Sequence, residues 1–240
     1  IGEYGTLYND SFEGVFDGQG HTISGVYINS NKAYNGLFGD LKHGSIKNLH
    51  VKDSYIMNGS KCTGGVVAHV HGSNSTHSGE TEQVVENCSF IGIIEGKTST
   101  NYTGGIVGHE ESSGKFVIRN CTTEGFLSDA NASYVGGISA YTDGTQVSGC
   151  VNRMHISGCN QGRLGGVAAV THAVDNCMNY GDIVSGTAKC IGGVVAEAKG
   201  DAIQCVNNGN INVTGSKTAQ VGGVVGLSTA NITFCGNFGT

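Results

Sequence analysis

Two histidines and an aspartate at one repeated offset are where this chain could do chemistry. Asp40, His69 and His109 each stand four residues after a glycine (Gly36, Gly65, Gly105) that opens a short aliphatic segment. Two imidazoles and a carboxylate can ligate zinc at about 2.0–2.2 Å. They can meet only if the fold stacks residues that lie 29 and 40 positions apart. The same offset continues as Tyr141, Val170, Glu197 and Leu227. The competing reading is three polar side chains on the solvated edge of a sheet.

A second candidate is the polar stretch from His71 to Glu80, whose His71, Asn74, His77 and Glu80 could bind a ligand. The gap between Gly65 and Gly105 exceeds its neighbours by about ten residues, and the surplus falls here. Insertions in repeat proteins map to one face, often the binding face. The alternative is tolerated slack in a surface turn. A second bulge, residues 110–115, lies one repeat further on.

The elements that position these groups follow from a motif that recurs seven times. Gly-Gly-Val-Val-Ala at 64–68 returns as Gly-Gly-Ile-Val-Gly at 104–108 and Gly-Gly-Val-Val-Ala at 192–196, with variants starting from Gly36, Gly136, Gly165 and Gly222. The second glycines are spaced by 29, 40, 32, 29, 27 and 30 residues, a period that signals a repeat architecture. Counted from the second glycine, position +1 is always aliphatic and position +3 always Gly or Ala. If side chains alternate across a strand, −1, +1 and +3 face inward, small against large. No segment carries a helical stripe of useful length. About 30 residues per repeat without a helix predict an all-β chain, a parallel β-helix (β-solenoid) of about eight coils over residues 1–240, read as one domain.

A second column runs through the chain as a consensus close to I-x-N-C-x-N-x-G-x-I. Cys88, Cys121, Cys150, Cys177, Cys205 and Cys235 fill its cysteine position, and Asn152, Asn179, Asn207 and Asn237 follow two residues after the last four of them. In stacked coils these cysteines form a ladder of reduced structural thiols, since buried Cys packs as a small hydrophobe. One ligand per coil makes a wire, not a metal tetrahedron. Cys62, Cys159 and Cys190 lie outside the column, and a disulfide between two of them stays open. The asparagines are expected to form an amide ladder along the stack.

Composition narrows the function. With 13 basic against 19 acidic residues and a net charge of −6, the chain has no electrostatic footprint for nucleic acid. No apolar run approaches a membrane span of roughly 18 residues. Of 240 residues 41 are glycine and none is proline, so the glycines must serve turns and tight packing. The pattern starts and stops midway, which predicts an excised piece of a longer exported protein.

The G-[LIV]-[VF]-[GA] core with its leading glycine resembles the GLUG repeat. The run from Phe12 through Asn29, followed by residues 35–51 (NGLFGDLKHGSIKNLHV), is similar to how such regions begin. The resemblance implies a right-handed parallel β-helix in large secreted or wall-attached bacterial proteins, including adhesin-like proteins and the non-catalytic part of IgA-cleaving metallopeptidases. Units such as Gly137-Ile138-Ser139-Ala140 depart from the motif, the cysteine-rich strand is not part of it, and the H-E-x-x-H of the peptidases does not occur. Asp17-Gly18-Gln19-Gly20-His21 also resembles the opening coil of pectin-degrading β-helix enzymes, though carboxylates and bases do not recur at one offset as such a site requires. The expectation is therefore a non-catalytic structural or adhesive repeat domain at the bacterial cell surface, without a cofactor. Its expected partners are a host or cell-surface glycan or protein and flanking repeats of the same polypeptide. A carbohydrate-active β-helix enzyme or the specificity region of a larger peptidase are the alternatives.

Overall fold

The computed structural model describes residues 1, 11–57, 61–71, 83–96, 101–111, 116–215 and 220–240. All regular structure among them is β, in three parallel sheets of 12, 11 and 7 strands. The chain forms a β-solenoid of about 7 turns of about 29 residues. The turn from Arg163 shows the plan. Arg163–Gly165 is a rung of the third sheet, and a bend at residues 166–167 leads into Ala168–Asp175 of the first sheet. Met178–Asn179 and Ile183–Ser185 then belong to the second sheet, before Cys190–Gly192 begins the next turn.

The expectation of about eight coils exceeded the count. The third sheet holds seven rungs, one per glycine motif, while Phe12–Asp17 and Thr22–Ser24 at the front add strands only to the first and second sheets. Among the described residues this opening segment is a partial turn.

Successive turns are in register where the motif demands it. Gly64, Gly104, Gly136, Gly165, Gly192 and Gly222 pair in one column. Both glycines of the motif have a steric reason. A Cβ on the first would meet the carbonyl oxygen three residues on, 1.9 Å away between Gly165 and Ala168. A Cβ on the second would meet both the next turn and its own: at Gly166 it would lie 2.0 Å from the Gly193 oxygen and 2.5 Å from Asn179 Cγ. Neither contact is compatible with a side chain.

Position +1 is buried, as Val66, Ile106, Ile138, Val167 and Val194 show, but the strict alternation does not hold. Position +2 also enters the core through Phe38, Val67, Val107, Ala168 and Val195. The bend after the second glycine resets which face each residue presents. Position +3 instead packs on third-sheet backbone: a Cβ on Gly108 would lie 2.7 Å from the Thr63 oxygen.

Between the first and second sheets each turn passes a residue with positive φ, such as Asn87, Asn120, Asn176 or Gln204, immediately before its column cysteine. Asparagine tolerates this left-handed corner better than most residues. The cysteines stack as expected and all nine are free thiols. The Cys121 amide donates to Cys150 Sγ at 3.4 Å, and that of Cys150 to Cys177 Sγ at 3.4 Å.

The asparagines form a continuous ladder. Asn152 Nδ2 donates to Asn179 Oδ1 at 2.7 Å, Asn179 to Asn207 at 2.8 Å, and Asn207 to Asn237 at 2.7 Å. Each amide also bonds the backbone two residues on, as Asn179 does with both the nitrogen and the oxygen of Gly181.

Gly166→Ala should therefore destabilise the protein by about 2 kcal/mol or more, since the clash is with backbone and a bonded amide. Gly186→Ala, whose added Cβ finds only Asn160 Oδ1 at 3.9 Å, should stay within about 0.5 kcal/mol of wild type. Chemical denaturation of the pair measures both, and equal losses would remove the steric account.

Candidate functional site

The expected column exists. Asp40 pairs with His69, His69 with His109, and His109 with Tyr141, and the register continues to Val170, Glu197 and Leu227. It does not lie on a solvated edge. Asp40 is 0 % exposed and His69 1 %, because the corner between the third and first sheets folds over this position.

Third-sheet tyrosines supply the cover. The Tyr34 ring stacks on His69 with centroids 4.6 Å apart, and Tyr102 stacks on His109 at 4.1 Å. Tyr134 stacks on Tyr102 at 5.3 Å and meets Tyr141 edge-on at 5.0 Å. Sequence reasoning missed these rings. Their signal was present: Tyr102 and Tyr134 stand three residues before the second glycine, and Tyr34 pairs with Cys62 in the same rung position.

Asp40 is the anchor. His69 Nδ1 lies 2.7 Å from its Oδ1, His71 Nδ1 lies 2.9 Å from Oδ2, and Ser11 donates to Oδ2 as well. Burial alone would raise this carboxyl, but the three hydrogen bonds outweigh it and hold the pKa below the usual carboxylate range. His71, expected as part of a ligand loop, is thus fixed at the root of that loop and turned toward Asp40. Asn74, His77 and Glu80 lie outside the described residues. The described strands on either side, Val67–His71 and Gln83–Glu86, both pair with Phe38–Lys47. Val107–Glu110 and Phe116–Arg119, which flank the second expected bulge, pair with these two strands in turn.

Glu111, unmarked by any column, completes the cluster. Its Oε1 lies 3.6 Å from His69 Nε2 and 4.0 Å from His109 Nδ1, with the side chain 53 % exposed. Burial opposes a charged His69, but Asp40 and Glu111 on either side override it and raise its pKa above the ordinary value. Pairing with His69 lowers Glu111 to about 2. Burial and the adjacent His69 push His109 down to about 4. The cluster thus sets His69 between two carboxylates, with His109 held toward its neutral form beside it.

The geometry groups the donors into two sets that share His69: Asp40, His69 and His71, and His69, His109 and Glu111, with the ligand atoms of each set within 4.8 Å of one another. Most of the cysteine chemistry is muted by comparison, although the hydrogen bond with Cys121 lowers the Cys88 thiol. Burial pushes the thiols of Cys159 and Cys190 up to about 12 and about 11, and those of Cys121 and Cys150 well above the ordinary value. Such thiols stay protonated, the form that neither attacks nor binds metal.

No protein-family model matches the chain, and no curated protein matches it.

A histidine whose pKa falls on folding contributes stability that is present above its unfolded value and lost as pH falls toward the folded one. For His109 that window runs from about 6.5 to about 4. Between about pH 7 and about pH 4.5, in the presence of chelator, wild type should lose about 2 kcal/mol more stability than His109→Gln. Urea denaturation at the two pH values measures the difference, and parallel losses would show that His109 is not held neutral.

Proposed function

We propose that this chain is a stiff, non-catalytic repeat segment of an exported bacterial surface protein, holding a binding face away from its anchor. The observation that carries the reading is the amide ladder, which ties turn to turn from Asn152 to Asn237 without a break. Buried side-chain hydrogen bonds add to the strand pairing between the same turns and resist bending or separation of the stack. The likeness of the glycine motif to GLUG repeats supports an extracellular, adhesin-like setting. About seven turns at ~4.8 Å per turn give a segment roughly 35 Å long.

The reading also assigns the polypeptide's own further repeats as partners. The last turn exposes Val221, Ile232, Phe234 and Phe238, the phenylalanines at 86 % and 76 %, and another turn stacked there would cover them. A host or cell-surface glycan or protein is the proposed ligand of this binding face.

Against a polyuronate-acting enzyme stands the state of Asp40. The carboxylate nearest the histidines is closed off by His69, His71 and Ser11 and so is not presented to a substrate.

Two measurements test the proposal. Pulled between its ends, the segment should give contour increments of roughly 100 Å per turn, from about 29 residues at ~3.5 Å each. Incubated with pectins and host glycans, it should bind or remain inert. Release of new reducing ends or unsaturated uronides would overturn the scaffold reading in favour of the enzyme.

A further inference from the structure

We propose that His69, His109 and Glu111 form a binding site for a zinc-class divalent metal ion, with Asp40 as the carboxylate that orients His69. The inference does not depend on the spacer reading, because it concerns one corner of the second and third turns and not the length of the stack.

Three observations converge on this corner. His69 Nε2 is buried and has no hydrogen-bond partner, although its side chain is 1 % exposed. A buried ring nitrogen left in that state is unfavourable, and here it points at Glu111 from 3.6 Å, beyond hydrogen-bond length. The spacing suits an ion. Two ligand atoms bound to tetrahedral zinc at about 2.0–2.1 Å lie ~3.4 Å apart, and the separations of Glu111 Oε1 from the two imidazoles are 3.6 and 4.0 Å. Small movements of the exposed Glu111 side chain close that gap. Finally, the second shell is built. Asp40 Oδ1 accepts from His69 Nδ1 at 2.7 Å, which fixes the tautomer that leaves Nε2 as the ligand. A carboxylate behind a metal-bound histidine is the common device for this purpose.

The donor chemistry selects the metal class. Two imidazoles with one carboxylate favour zinc, or cobalt or nickel in its place, over calcium or magnesium, which prefer oxygen alone. Tyr34 and Tyr102 stack on the two histidines and hold both ring planes, so the site is organised before the ion arrives. The fourth position opens beside Glu111 toward solvent, where water or a ligand's carboxylate or hydroxyl can complete the shell.

The alternative set of Asp40, His69 and His71 is the poorer one. Both histidines already direct Nδ1 at Asp40, so those nitrogens serve the carboxylate and not an ion.

The test is titration of the chelator-stripped full chain with zinc by calorimetry, and with cobalt(II) followed by its visible absorption. A single equivalent should bind, and cobalt should show the intense bands of four-coordination. His109→Gln and Glu111→Gln should each weaken zinc binding at least ~10-fold, and Asp40→Asn ~10–100-fold. His21→Gln, at an exposed position before Thr22–Ser24, should leave affinity and spectrum unchanged, and His71→Gln, which removes one donor to Asp40, should cost less than Asp40→Asn. Removing His69 strips Asp40 of a partner, so Glu111→Gln, at the open rim, carries the test without endangering the fold. Absence of both heat and cobalt bands would overturn the site. So would binding abolished by His71→Gln yet indifferent to Glu111→Gln, which places the ion on the other set.

Discussion

The structure depends on a close approach of backbone to backbone at the corner where each turn begins. At Gly105, Gly137, Gly166 and Gly193 the space that a β-carbon would fill holds a carbonyl oxygen of the following turn, 2.0–2.1 Å from the Cβ position. Any side chain there would push adjacent turns apart and break the pairing of all three sheets at once. The approach also brings the amides of Asn152, Asn179 and Asn207 against Gly137, Gly166 and Gly193. The glycine column and the asparagine column are therefore two sides of one contact, which Thr123 makes with Gly105 and Phe90 with Gly65 in the earlier turns.

The same corner explains why a charged cluster can be buried in a solenoid. Position +4 lies just beyond the bend, beneath rings from the third sheet. In turns where it is Val170 the place is filled by an apolar side chain. In the first three turns it holds Asp40, His69 and His109, and burying a carboxylate without partners is prohibitive. Asp40 has three hydrogen-bond donors, and Tyr34 and Tyr102 cover the imidazole faces. The same column continues as Tyr141, Val170, Glu197 and Leu227, and its one further charge, Glu197, is paired with Arg163.

Much of this was legible in the sequence because sterics act on columns. Residues Val66, Ile106 and Val194 could be recognised as stacked, and so could the cysteines and asparagines, since equivalent places in successive turns impose the same size and polarity. The meeting of Asp40, His69 and His109 followed from the same register. Local geometry at the corners was not legible. Alternation predicted that +2 would point outward, whereas the bend turns Phe38 and Val67 into the core. For the same reason the +4 column was read against a solvated edge, and the tyrosines that cover it went unmarked. Glu111 belongs to no column, because it follows the strand Val107–Glu110, and only the folded chain brings it to His69.

The asparagine ladder also has a direction, and that direction specifies the stack. Every rung donates from Nδ2 toward the following turn and accepts at Oδ1 from the preceding one, so the first rung needs a donor that is not an amide. Thr123 supplies it, donating to Asn152 Oδ1 at 2.8 Å. Before Thr123 the same register position is Phe90, then Val51, then Ile23, so the column changes from apolar to polar at one hydroxyl. With two bonds to each oxygen and two from each nitrogen, the interior amides at Asn179 and Asn207 are fully satisfied. A one-residue slip would face an amide with a neighbouring apolar or backbone position and leave buried polar groups on both turns unpaired. An apolar column tolerates such slips more cheaply. The polar half of the column therefore fixes the register of the later turns, whereas the earlier turns rely on the glycine corner and on volume.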